Sequence, residues 1–206
     1  MTTPAEVLEF WLGEPATTPD QLGAKMKRWY QGGPAVDAEI RARFADAVAT
    51  AIDGGFAEWE ETPRDRLALI ILLDQFPRSV YRDDPRAFAG DSRAQWLALD
   101  ALDRGLDAGF SVEEHLFLHM PLLHAEDLAT QERGVIEADR TVEMAAPALK
   151  PFFAMGKEQS RKYRDVIARF GRFTHRNQVL GRTSTPEELA FLETWTQKAP
   201  PKTPAT

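Results

Sequence analysis

The segment Phe170-Gly171-Arg172-Phe173-Thr174-His175-Arg176-Asn177, running on to Arg182, sets ionisable side chains directly beside large apolar ones. Three arginines, a histidine and an asparagine are interleaved there with Phe170, Phe173, Val179 and Leu180. A solvated helix face separates the two kinds at a period of about 3.6 residues. Interleaving forces some charged heads into partly dry surroundings, where they need a carboxylate, a hydrogen-bonding neighbour or an anionic ligand. Arg172 and Arg176, four residues apart, could clamp one carboxylate or phosphate through paired N–H groups, and His175 between them could move a proton.

Two further blocks break the amphipathic pattern. Leu72-Leu73-Asp74-Gln75-Phe76-Pro77-Arg78 delivers a carboxylate at the end of an apolar run, with Arg78 one helical turn away. Pro77 removes a backbone donor between them and can bend the chain. In Pro121-Leu122-Leu123-His124-Ala125-Glu126-Asp127, a helical reading puts His124, Asp127 and Gln131 on one face. Glu126 or Asp127 would then orient the His124 imidazole. The candidate catalytic set is therefore His124, His175, Glu126 and Asp127. The candidate binding set is Asp74, Arg78, Arg172, Arg176, Asn177 and Gln131. A purely structural reading stands beside it: Asp74 braces Arg78, while Arg172 and Arg176 pair with Asp74, Asp91, Glu126 or Asp127. His115 and His119 have the i, i+4 spacing of a metal pair, but there is neither a His-Glu-x-x-His pattern nor any Cys, so no metal site is assigned.

The elements that must position these groups read as helices. A Thr or Ser followed three positions on by a carboxylate or amide recurs at Thr3, Thr18, Thr62, Ser111 and Thr185, four times with Pro in between. Hydroxyl, proline and returning acid or amide together form a helix start. Ile40, Phe44, Val48 and Ile52 mark one buried stripe on a helix from about 35 to 53, and Leu67, Ile70, Ile71 and Leu73 make the next helix apolar on most sides and central. Phe88, Trp96, Leu99 and Leu102 predict a helix from 85 to about 106. Another starts at Ser111 and stops or kinks near Pro121. Two more cover 126–149 and 157–170, parted by Pro151 and Gly156, and a last one runs from 186 to about 196. Strand signals are nearly absent. The fold class is all-α, with consecutive helices packed as antiparallel hairpins in one domain over residues 1–197. A mobile tail is expected at 198–206.

Apolar residues at 43% and charged ones at 28% describe a folded chain, and the absence of Cys removes disulfides and thiol nucleophiles. The first residues lack the basic and apolar regions of a secretory signal, and no apolar run is long enough to span a bilayer, so a cytoplasmic protein without a membrane role is expected. The net charge of −7 argues against nucleic acid, although residues 157–182 carry +6. That window is either a basic segment docked on acidic neighbours or an anion site. Trp29, Tyr30 and Trp59 fit an interface or the core equally well.

The three blocks, with Val7-Leu8-Glu9-Phe10-Trp11-Leu12-Gly13 and Leu180-Gly181-Arg182, resemble the bacterial family catalogued as domain of unknown function 924 over about residues 5–195. As the family pattern is known to us, this chain departs from it at Ser79, where the pattern has Asn, and at Thr174, where it has Pro. The resemblance implies a compact tetratricopeptide-like superhelix and no settled activity or cofactor. It favours treating Asp74, Arg78, His124, Glu126, Arg172, His175, Arg176 and Asn177 as one cluster. Three functions follow from these observations. The first is a small-molecule enzyme of the hydrolase or group-transfer kind, or a binding protein for a small anionic ligand. The second is a module that grips an acidic peptide, and the third leaves the cluster purely structural.

Overall fold

The computed structural model describes residues 2–195, and every regular element among them is helical. In chain order these are α1 (Pro4–Trp11), α2 (Pro19–Gln31), α3 (Gly33–Ile52), α4 (Pro63–Asp74), α5 (Pro77–Val80), α6 (Asp91–Asp103), α7 (Val112–Leu123), α8 (Leu128–Met144), α9 (Lys150–Phe170) and α10 (Pro186–Thr194). Short 3₁₀ turns occupy Ala57–Glu60, Pro85–Phe88 and Thr174–Arg176. The tail expected at 198–206 lies outside the described residues. No described helix is long and apolar enough to cross a membrane.

The five predicted start signals all act as caps. Reciprocal capping boxes close at Thr3, Thr18, Ser111 and Thr185, while Thr62 accepts from the Asp65 amide. The α4 helix is the centre: Leu67 through Leu73 are all fully buried, and α1, α3, α6 and α7 pack around it. The α7, α8 and α9 helices follow one another side by side through short loops, hence as antiparallel neighbours. Edge-to-face aromatics knit α1 to this core, with Trp11 5.4 Å from Phe76 and 5.7 Å from Phe117. Trp59 is buried, the half-buried Trp29 indole donates to the Trp11 carbonyl, and Tyr30 is exposed.

Two boundaries differ from those read in the sequence, whereas α7 stops near Pro121 as expected. The single helix expected over 85–106 is a 3₁₀ turn followed by α6, because the chain must turn tightly at Gly90 to pass α4. Trp96, expected in the core, is 56% exposed. Pro151 does not separate two helices but sits in the first turn of α9, where its missing N–H has no intrahelical partner to lose; Gly156 lies inside that helix. Pro121 is carried inside the last turn of α7, which ends at Leu123.

Candidate functional site

Two carboxylates meet where α4 ends and α6 begins. Gly90, just before α6, approaches α4 so closely that a Cβ there would lie 2.3 Å from the Leu73 carbonyl oxygen. This contact brings Asp74, the last residue of α4, and Asp91, the first of α6, within reach of one guanidinium. Arg78 on α5 spans them, with Nη2 3.4 Å from Asp74 Oδ1 and Nη1 3.0 Å from Asp91 Oδ1. Its Nη1 also donates to the carbonyls of Asp74 at 2.6 Å and Ala87 at 3.2 Å, tying off the C-terminus of α4.

Above this floor is a cavity of about 280 Å³ lined by Arg78, Phe88, His124, Tyr163, Phe173, His175 and Arg176. Five separate stretches of chain supply these seven side chains. Phe88 closes a 3₁₀ turn, His124 caps the C-terminus of α7, Tyr163 comes from α9, and Phe173 precedes the turn that carries His175 and Arg176.

Two features give the cavity its chemistry. His124 Nδ1 lies 2.7 Å from Asp74 Oδ1, and that carboxylate is 1% exposed. The carboxylate fixes the proton on Nδ1 and leaves the Nε2 lone pair as the acceptor. Arg176 is 8% exposed, with its guanidinium 4.6 Å from the centroids of both the Phe88 and the Phe173 rings. Its one side-chain hydrogen bond among the described residues runs from Nη1 to Asp91 at 3.3 Å, and its buried Nε has no partner.

The electrostatics follow from burial. Burial opposes ionisation of Asp74, yet its pairing with His124, the Arg78 charge and the hydrogen bond from Gln75 outweigh it and hold the carboxyl well below the usual range. Burial lowers the Arg176 pKa, Arg78 adds to that, and Asp91 opposes it. His175 is pushed down to about 4, first by burial and then by Arg176, with smaller contributions from His124 and Arg182 against the opposing Glu126. It is therefore neutral near pH 7.

The other predicted residues lie elsewhere. Asp127 does not orient an imidazole: it is the exposed N-cap of α8, accepting from the Thr130 amide at 2.8 Å, so His124 and Asp127 belong to different helices. Glu126 accepts from the Phe173 amide at 2.9 Å and pairs with Arg182, which anchors the turn bearing His175. The clamp expected from Arg172 and Arg176 does not form, because Arg172 turns away to hold Glu188 at 2.7 Å. Buried Asn177 donates to Ser184 and Glu188 and accepts from Arg182, and Gln131 donates to the Leu123 and Ala125 carbonyls across the loop from α7 to α8. The structure thus gathers Asp74, Arg78, His124, His175 and Arg176 and places the rest as braces. The basic window is largely internally neutralised: Lys157 and Arg161 meet Asp139, Arg164 meets Asp165, and Arg169 meets Glu187. Among the described residues no group of three or more His, Asp or Glu side chains is placed to hold a metal ion.

Residues 7–195 match the family described as bacterial protein of unknown function, DUF924. The chain belongs to the DUF924 family. It is also similar, at 33% identity and a TM-score of 0.74, to the solved structure of the protein of unknown function ATU0120 from Agrobacterium tumefaciens, over 93% of this chain and 97% of that one. No curated protein matches it.

Three residues of this DUF924 site escaped the sequence reading. Phe88 and Tyr163 lie on elements read only for core or charge, and Phe173 passed for core. Asp91 was named only as a structural partner. One signal for it was available: a Gly-Asp step entering a helix, set one turn beyond an aromatic, marks a tight approach that carries a carboxylate.

Two neutral imidazoles, His119 and His175, make the fold acid-sensitive. His119 is fully buried and pushed down to about 3, chiefly by burial and by His115. Unfolded, His119 and His175 titrate near the usual 6.5. Between that value and their folded values the unfolded chain binds protons that the native chain refuses, so stability falls as pH drops. From pH 7 to 5 the loss should reach about 2 kcal/mol per imidazole, mostly above the range in which carboxylates titrate. Urea titrations across that range will show it, and His119→Leu should remove its share of the slope; an unchanged slope would contradict this assignment.

Proposed function

We propose that the cavity binds a small anionic molecule on Arg176 and that His124, held by Asp74, serves as a general base toward it. The observation that carries this reading is the incomplete bonding of Arg176. A guanidinium has five N–H donors and is costly to bury without acceptors. Here one hydrogen bond is made, two phenyl rings pack against the guanidinium, and the residue lines a cavity. Oxygen atoms of a ligand arriving in the guanidinium plane would supply the missing acceptors. None of the seven lining side chains bears an aliphatic hydroxyl or a thiol, so water activated at His124 Nε2 is the nucleophile that fits, and hydrolysis is the reaction class. The proton taken at Nε2 would leave an imidazolium paired with Asp74, and that imidazolium would return the proton to the leaving group as the ligand's ester-type bond breaks.

A tetratricopeptide-like surface gripping a peptide has less support, since the polar groups converge on a cavity of small-molecule size rather than along an open groove. A purely structural cluster makes a different prediction for Arg176→Met. Asp91 keeps Arg78 in that variant, and an unbranched methionine fills the slot beside the two rings. We expect stability within about 1 kcal/mol of wild type, or above it, with loss of any stabilisation by anions. Thermal shifts of both proteins against a panel of organic carboxylates and phosphate esters will decide. A large drop in the variant's melting temperature, with no ligand effect on wild type, would assign Arg176 to structure alone.

A further inference from the structure

Resting on that reading, we propose that the ligand is a small monocarboxylate with an apolar, flat body, and that it binds together with one proton taken up by His175. Charge sets the valence. Arg78 and Arg176 at the cavity are already matched by Asp74 and Asp91, and Arg182 by Glu126. A dianion would arrive uncompensated in dry surroundings, whereas a monoanion is neutralised by a single proton.

Geometry sets the shape. With Phe88 and Phe173 packed against the guanidinium, and Nη1 engaged by Asp91, the donors left for a ligand are the Nε–Nη2 fork. Two coplanar carboxylate oxygens match that fork. The other walls include the rings of Phe88, Phe173 and Tyr163, which suit a flat body.

His175 is the proton's destination because of what faces it. Arg176 stands on its own turn, His124 and Glu126 come from the end of α7 and the loop beyond, Arg182 follows the turn, and Arg78 of α5 and Tyr163 of α9 stand across the cavity. The cations among these, with burial, hold the ring neutral, and an anion seated on Arg176 opposes both its nearest cation and its isolation.

Benzoate, phenyl phosphate and inorganic phosphate serve as probes in calorimetric titrations of the full chain between pH 6 and 9, in buffers of differing protonation enthalpy. Benzoate should bind most tightly, with uptake of about one proton and a Kd that weakens about tenfold per pH unit on the alkaline side. His175→Gln should bind it without that slope, and Arg176→Met should not bind it. Tighter binding of either phosphate, or pH-independent binding of benzoate by wild type, overturns this inference and leaves the anion site standing. Binding of none of the three overturns both.

Discussion

Asp74→Ala is expected to lower stability by about 3–5 kcal/mol, more than any other single charge removal at the site. In a chain of this size each kcal/mol is worth roughly 2–4 °C, so the melting temperature should fall by roughly 6–20 °C. The carboxylate is fully buried and receives three side chains from three places: His124 from the end of α7, Arg78 from α5 and its neighbour Gln75. Its loss leaves the His124 N–H and one side of Arg78 without their buried acceptor. Asp74→Asn separates charge from shape. The asparagine keeps the volume and an oxygen for His124, but its amide N–H groups compete for space with Arg78 donors, so an intermediate loss is expected. Nitrogen chemical shifts of the His124 ring provide the second readout. In wild type the proton should reside on Nδ1, and in Asp74→Ala the ring should populate both tautomers. A wild-type melting temperature in Asp74→Ala would mean that the buried dyad is not formed.

The contrast between Asp74 and Arg176 separates the two halves of the site. Asp74 has every partner it needs, so it holds the fold together. Arg176 has too few, which is why we propose that a ligand completes its bonding. Sites of this kind break the rules of polar satisfaction locally and rely on the surrounding core for support. That support is visible in the fully buried run from Leu67 to Leu73, which delivers Asp74 rigidly, and in the Glu126–Arg182 brace under the turn of His175.

How much of this was legible follows the same division. Caps are local, so Thr3, Thr18, Thr62, Ser111 and Thr185 announced their helices within four residues of sequence. The buried run of α4 was equally plain, because only a central helix is apolar on nearly all sides. The polar residues of the site were legible as types out of place, and Asp74, Arg78, His124, His175 and Arg176 do converge. Their pairings were not legible. Asp74 meets His124 across fifty positions and Arg176 meets Asp91 across eighty-five, and no periodicity encodes such distances. The helical spacing that made Arg172 and Arg176 look like one clamp failed because Gly171 ends α9 in the left-handed conformation, so the two arginines do not share a helix. For the same reason His124 and Asp127 part company: one ends a helix and the other begins the next.

Gly90→Ala is the backbone counterpart of the Asp74 experiment, and a loss of at least about 3 kcal/mol is expected. The added methyl would sit 2.3 Å from the Leu73 carbonyl oxygen and 3.0 Å from the Leu73 carbonyl carbon and Cα. All three atoms are main chain inside the central helix, so no side chain can swing aside and α6 must move away from α4. The movement also undoes the site, since Asp91 is the first residue of α6 and its distance from Asp74 is what lets Arg78 bridge them. Two other glycines calibrate the result. A methyl at Gly134 meets the mobile tip of Leu123 at 2.7 Å and should cost less, whereas Gly156 lies in open space inside α9 and Gly156→Ala should stabilise by about 0.5–1 kcal/mol. Urea midpoints of the three variants should therefore fall in the order Gly156→Ala above wild type, then Gly134→Ala, then Gly90→Ala. If Gly90→Ala retained both wild-type stability and anion binding, the close passage of α4 and α6 could not be what sets the two carboxylates under Arg78.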